Sequence, residues 1–259
     1  MRIFVAGATG AVGRRLVPRL INRGHSVTGL TRTPAKTNLL RKFGADPVVA
    51  DALDEKAIHA AVVAARPDVI VHQLTDLKDA SDLRNFDRTF ASSNRLRTAG
   101  TDHLVAAAQA CGVKRMVAQS FCGWPYARTG GHVKTEDDPL DQDPPRELRG
   151  TLDAIRHLEH AVTTTPGLVG VALRYGGFYG PDTGFCDPSI LKQIRKRRMP
   201  PKRLRLRSSA VRAFTTSSTM IRRRCVTGSW RSRGCWGQNR RSAFPPGWAA
   251  LSPDNISLS

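Results

Sequence analysis

The amino-acid sequence predicts an α/β fold, a doubly wound parallel sheet with helices on both faces. Three features lead there. Strand and helix signals alternate through the first half of the 259 residues, with short connections between them. The strand segments are short apolar runs, as expected where both faces of a sheet are covered. The first of them enters a glycine-rich turn that opens a helix.

In chain order, "RIFVAG" is a short apolar strand and "AVGRRLVPRLINRG" a helix, with Val12, Leu16, Leu20 and Ile21 on one side and Gly24 as its stop. Pro18 falls inside that pattern and argues against its regularity. "SVTGLTR" is the second strand, and "PAKTNLLRKFG" a helix opened by Pro34 and closed by Gly44. "DPVVAD" is the third strand. Asp54 is placed to cap "EKAIHAAVVAA", which Arg66-Pro67 ends. "DVIVHQL" is the fourth strand, and one long helical region then runs to Ala110, ahead of the fifth strand, "KRMVAQS". After a loop rich in Pro, Gly and acid (residues 122–147), "TLDAIRHLEHAV" is helical and "GLVGVALRYGGFYGP" holds the sixth strand.

Charge divides the chain. The net charge is +20, yet residues 1–190 hold 24 Lys and Arg against 20 Asp and Glu, and residues 191–259 hold 17 against the single Asp254. The first part is near neutral and long enough to bury a core. No run of 18 apolar residues occurs, and "MRIFVAGATG" lacks the apolar region of a signal peptide, so a cytoplasmic protein away from membranes is expected. Cys111, Cys122, Cys186, Cys225 and Cys235 have no metal-ligand spacing and read as free thiols, with no metal site.

The motif with most chemical content is "GATGAVG". Gly7 allows a tight turn, Gly10 lets backbone N–H groups approach a pyrophosphate, and Gly13 lets the helix pack close to the sheet. The helix N-terminus then offers partial positive charge to phosphates. At the end of the second strand, an acid would favour a free ribose 2′-hydroxyl and a cation a 2′-phosphate. The sequence places Thr31-Arg32-Thr33 there, which favours NADP(H), with NAD as the alternative. Asp51 is positioned to accept from an adenine amino group or to cap the next helix. The candidate dinucleotide site thus comprises Gly7, Thr9, Gly10, Ala11, Val12, Gly13, Arg32, Asp51, Ala52, Gln73 and Leu74. His72, on an apolar strand, reads as a satisfied core histidine rather than a catalyst.

"GATGAVGRRLV", "VVADALD", "DVIVHQL", "GTDHLVAAAQACGVKRMVAQS" and "VALRYGGFYGP" together resemble the extended short-chain dehydrogenase/reductase superfamily, in its NAD-dependent epimerase/dehydratase branch, over about residues 1–190. The resemblance implies a Rossmann-like NAD(P)-binding domain followed by a smaller substrate domain for a small molecule. It also implies a Tyr-x-x-x-Lys pair on the helix after the fifth strand, with a Ser or Thr at that strand's end to orient the substrate oxygen. Ser120 fits the last role. The pair does not occur: with Glu159 setting the register, Thr151 stands where Tyr belongs and Ile155 where Lys belongs. Tyr126 is the nearby phenol that could replace the acid, with Lys134 as a cation if the loop folds back. The expectation is an NADP(H)-preferring oxidoreductase of impaired catalysis, or a non-catalytic NADP(H)-sensing regulator.

Beyond Ile194 the period is lost. Residues 195–259 hold 14 Arg, 10 Ser and three of the four Trp. This usage is what an out-of-frame G/C-rich gene yields, with the shift near residues 199–203. The substrate domain is then missing or scrambled, and residues 191–259 form an Arg/Ser-rich tail with no packed core. The rival reading is a basic tail that neutralises nucleic-acid phosphates non-specifically.

Overall fold

The computed structural model describes residues 1–77, 86–130, 133–176, 178 and 213–215. Six parallel strands form the sheet: β1 (Arg2–Ala6), β2 (Ser26–Thr31), β3 (Asp46–Val49), β4 (Val69–His72), β5 (Arg115–Phe121) and β6 (Val169–Tyr175). The spatial order is β3-β2-β1-β4-β5-β6, with a short antiparallel strand, β7 (Ala213–Thr215), added beyond β6. The chain winds outward from β1 to β3, then crosses to β4 on the other side of β1. The strand order reverses over the C-terminal ends of β1 and β4, the place where open sheets of this kind form their binding crevice.

β1 lies in the middle and alternates its side chains between two cores. Ile3 and Val5 join Val17, Val27 and Leu40 on the side of α1 (Gly13–Ile21) and α2 (Thr37–Lys42). Phe4 and Ala6 join Ile58, Val62, Ile70, Leu104, Met116 and Leu158 on the other side. That second face is covered by α3 (Glu55–Ala65), α6 (Ala99–Ala110) and α7 (Arg149–Thr164). Strands buried on both faces have no polar side to show, which is why their sequences read as apolar runs rather than alternations.

Several local expectations meet their structure in detail. The Asp54 carboxylate accepts the Ala57 N–H at 3.0 Å and caps α3, which ends where Arg66 takes a left-handed φ of 44° before Pro67. α1 departs from the expected pattern: Val17 is its fully buried side chain, and Leu20 and Ile21 pack only partly against the core. Nor does Pro18 break it. Asn22 N–H donates to the Pro18 carbonyl at 2.9 Å, so the ladder resumes within one turn of the missing donor. Pro34 opens a 3₁₀ turn, Pro34–Lys36, that leads into α2.

The long helical region ahead of β5 is divided into α4 (Phe86–Thr89), α5 (Ala91–Arg97) and α6. Thr98 separates the last two at φ −92° and ψ −92°, and its hydroxyl donates to the Asn94 carbonyl at 3.1 Å. Such local hydroxyl bonds compete with helix continuation. β7 is a further departure, since no strand period is evident after Ile194. Pairing of Ala213–Thr215 with Val171–Leu173 satisfies part of the open edge of β6. The remainder of the segment read as a tail lies outside the described residues.

His72 closes β4 and is wholly buried. Its Nδ1 accepts the Leu74 N–H at 3.2 Å, so Nε2 carries the proton toward the Thr101 hydroxyl at 3.1 Å, which in turn donates to the Arg97 carbonyl. Burial, helped by the nearby Arg97 charge, lowers its pKa to about 4. This is the satisfied core histidine that its apolar strand suggested. The folded-state value lies below the ordinary value of about 6.5, so the folded chain binds fewer protons between the two. The stabilisation is complete above about pH 6.5 and is lost as pH falls through about 4, a change of about 3 kcal/mol. Urea unfolding at pH 7 and pH 4 should therefore show a smaller acid loss in His72→Gln than in the parent. Equal losses would contradict the role.

Candidate functional site

The crevice begins at the glycine turn. Gly7 has φ of 87°, and a Cβ there would stand 2.5 Å from the Gln73 carbonyl oxygen. A Cβ on Gly13 would stand 2.3 Å from the Gly7 carbonyl oxygen, so α1 can reach the turn only without one. Gly10 is different: it is exposed, and the Gly7 oxygen at 3.3 Å is the sole atom its Cβ would approach. Thr9, Ala11 and Val12 are part-exposed beside it. The first turn of α1 has no side-chain cap and no acidic residue, which leaves its positive end to a ligand.

Gln73 and Leu74 form the opposite wall. Gln73 N–H donates to the Ala6 carbonyl at 2.8 Å, which ties the end of β4 to the end of β1. Its side-chain amide lies near the Tyr175 hydroxyl, and the buried Oε1 has no partner. Among the described residues, only Arg14 Nε, in the first turn of α1, shares that condition. Such buried polar atoms without a partner call for an explanation, and for Gln73 Oε1, beside the Gly7 turn, a polar ligand supplies one. Burial holds the Tyr175 phenol above its ordinary pKa, with the nearby Gln73 amide opposing. Its proximity to Gln73 across the end of β5 gave no sequence signal.

Asp51 is exposed and its Oδ1 accepts the Leu53 N–H at 3.0 Å; the helix cap beside it is Asp54. Ala52 is buried, and its carbonyl accepts from His103 Nδ1 at 3.0 Å. Arg32 is exposed on its turn and also has a partner. Its Nη2 meets Asp76 Oδ2 at 2.9 Å, from beyond the end of β4. The second strand supplies no acid, but the fold brings one to the same arginine.

Ser120 is buried, and its hydroxyl donates to Glu159 Oε1 at 2.5 Å. The same carboxylate receives Arg174 Nε at 2.8 Å and Nη2 at 2.7 Å, a two-point ion pair with both side chains nearly buried. Burial works against the Arg174 charge, and Glu159 more than offsets it, so the guanidinium pKa moves up. Arg174 Nη1 also donates to the Tyr126 hydroxyl at 3.2 Å, and its guanidinium carbon lies 5.3 Å from that ring's centroid. The cation beside Tyr126 is therefore Arg174. Lys134 turns away, to the Thr129 carbonyl and Asp138. Burial raises the Tyr126 pKa despite the bond from Arg174, so the phenol stays protonated at neutral pH.

Thr151 and Ile155 are 2% and 1% exposed. The Thr151 hydroxyl donates to Asp87 Oδ1 at 2.7 Å and accepts from Asn94 Nδ2 at 3.0 Å. Asp87 also takes the Gly150 and Thr151 N–H groups and so caps α7 from a distant segment. A cavity of about 690 Å³ lies elsewhere, lined by Ala127, Thr129, Asp141, Pro144 and Arg149, and shares no residue with the crevice.

The chain matches a family model described as NAD(P)H-binding, over residues 7–186. The chain belongs to that family. Family members bind NAD(P) on a Rossmann domain, and the glycine turn with its open helix end fits such a group. The chain is 46% identical over 187 residues to 3-diazoavenalumate denitrifying reductase from a Streptomyces species, covering 72% of this chain and 59% of that protein. It is 26% identical over 200 residues to a 4-hydroxy-2-methyl-3-oxo-4-farnesyl-3,4-dihydroquinoline-1-oxide ketoreductase from Stigmatella aurantiaca, covering 76% of this chain and 56% of that one. It thus spans less than two thirds of either relative. Among solved structures, UDP-glucose 4-epimerase of Thermus thermophilus, in complex with NAD, superposes with a TM-score of 0.58 at 24% identity, over 75% of this chain and 61% of that one. That likeness shows the Rossmann-like fold, and such neighbours lie in the NAD-dependent epimerase/dehydratase family.

The Glu159–Arg174 pair is expected to anchor α7 to β6. Glu159→Ala leaves a nearly buried guanidinium without its carboxylate and should cost about 3–5 kcal/mol, measured by urea unfolding. A loss below about 1 kcal/mol, the range of exposed pairs, would contradict the account.

Proposed function

We propose that the chain is an NAD(P)H-dependent reductase, with NADP(H) preferred, that delivers hydride to an acceptor needing no proton from a Tyr/Lys pair. The observation that carries this reading is the state of Thr151 and Ile155. Both are buried, and the Thr151 hydroxyl is held by Asp87 and Asn94. Reduction of a carbonyl consumes a hydride and a proton, and the proton donor must reach the oxygen. An aryl diazonium group is different. Hydride adds to the Ar–N₂⁺ unit, the C–N bond breaks, and arene and dinitrogen leave with charge balanced and no proton consumed. The Streptomyces relative, named as a denitrifying reductase of a diazo compound, supports that acceptor class. On this reading the missing pair reflects the acceptor and not a damaged enzyme.

The cofactor preference rests on Arg32 at the end of β2, with no acid on the following turn. In the proposed complex Gly7, Gly10 and the first turn of α1 hold the pyrophosphate, and Arg32 the 2′-phosphate. Gln73 Oε1 accepts from the nicotinamide half. Ser120 positions Glu159 and Arg174, and Tyr126 borders the acceptor.

Two measurements test this. Calorimetry should show Arg32→Ala losing about 1.5–3 kcal/mol of NADP⁺ affinity, as for a hydrogen bond to a charged group, with NAD⁺ barely changed. Equal losses for both would sink the assignment. With NADPH and a stable ortho-diazo phenol, dinitrogen release should match NADPH oxidation, and Tyr126→Phe should keep most of the rate. Turnover of ketones alone, abolished in Tyr126→Phe, would contradict the acceptor class.

A further inference from the structure

The acid absent from the end of β2 reaches Arg32 from β4, and the way it is held gives it a function. Asp76 Oδ2 accepts from Arg32 Nη2 at 2.9 Å and from Ser92 Oγ at 3.0 Å. Its backbone is fixed at both groups by one buried hydroxyl: Asp76 N–H donates to Ser93 Oγ at 2.9 Å, and Ser93 Oγ donates to the Asp76 carbonyl at 2.7 Å. Arg32 is the movable partner, half-exposed at the end of a flexible stem, while the Asp76 side chain is 19% exposed. In the sheet, Ala6 of β1 lies between Leu30 of β2 and His72 of β4. The pair formed two residues beyond Leu30 and four beyond His72 therefore spans the end of β1, at the turn that carries Gly7.

We infer that Asp76 is a specificity-determining residue that holds back NADP(H) by competing with the 2′-phosphate for Arg32. The inference rests on the proposed contact between Arg32 and that phosphate. A 2′-phosphate must draw the guanidinium from a carboxylate that its Ser93 clamp keeps in place, and the two anions then compete for Arg32. A cofactor with a free 2′-hydroxyl makes no demand on Arg32 and leaves the pair intact. Asp76 thus reduces the advantage that Arg32 gives to NADP(H), which keeps NAD(H) usable in the same crevice.

The test is calorimetry of NADP⁺ and NAD⁺ binding to the full 259-residue chain with Asp76→Asn, Arg32→Ala and the double substitution. Asn keeps the size of the side chain and an acceptor for Ser92, and the backbone clamp is untouched. Asp76→Asn should tighten NADP⁺ roughly three- to tenfold, the scale of a partly exposed charged contact, with NAD⁺ changed by less than about twofold. The gain should shrink at high salt and vanish in the Arg32→Ala background. Weaker NADP⁺ binding, an equal gain for both cofactors, or no change in either would each overturn the inference. If Arg32→Ala lowers NADP⁺ affinity selectively while Asp76→Asn does nothing, only the role of Asp76 falls. If Arg32→Ala leaves both affinities as in the parent, the underlying phosphate contact falls first.

Discussion

Three backbone segments converge at Gly7: the end of β1, the end of β4 at Gln73, and the first turn of α1 at Gly13. The distances leave no room for a Cβ, at 2.5 Å from the Gln73 oxygen and 2.3 Å from the Gly7 oxygen. This close approach brings the helix end against the sheet at the place where the strand order reverses. The N-terminus of α1, which has no side-chain cap, the buried Gln73 amide and the Arg32–Asp76 pair owe their shared position to it. Loosening it would separate the two walls before it affected any single contact.

A second constraint lies where α7 meets β5 and β6. Glu159 gathers Ser120, Arg174 and, through Arg174, the Tyr126 phenol into one nearly buried unit joining α7, β5 and β6. An ion pair in such a place is tolerated because every oxygen and most of the nitrogens are hydrogen-bonded. Its effect is to seat α7, and thereby to pack Thr151 and Ile155 where no proton donor is presented. Burial keeps the Tyr126 phenol of this unit protonated despite the bond from Arg174.

How much of this was legible in sequence depends on the distance between partners. The glycine turn, the Asp54 cap and the six strands are written in adjacent residues, and local periodicity shows them. Asp76 and Arg32 are 44 residues apart, Ser120 and Glu159 are 39, and Tyr126 and Arg174 are 48. No local pattern marks such pairings, which arise only once the sheet order brings strand ends together. The same holds for Asp87 capping α7 and for β7 at the edge of β6. The helix preceding β5 reads as too long for a different reason. Its apolar spacing continues through Thr98, while the hydroxyl's bond to the Asn94 carbonyl accompanies the break.

The central claim is that a dinucleotide lies over the ends of β1 and β4, against the Gly7 turn. Hydrogen exchange with and without saturating NADPH reads it directly, peptide by peptide. Slower exchange should appear in residues 7–15 and 73–76 and leave residues 127–149 unchanged. Protection confined to residues 127–149, with the Gly7 turn exchanging as before, would contradict the account.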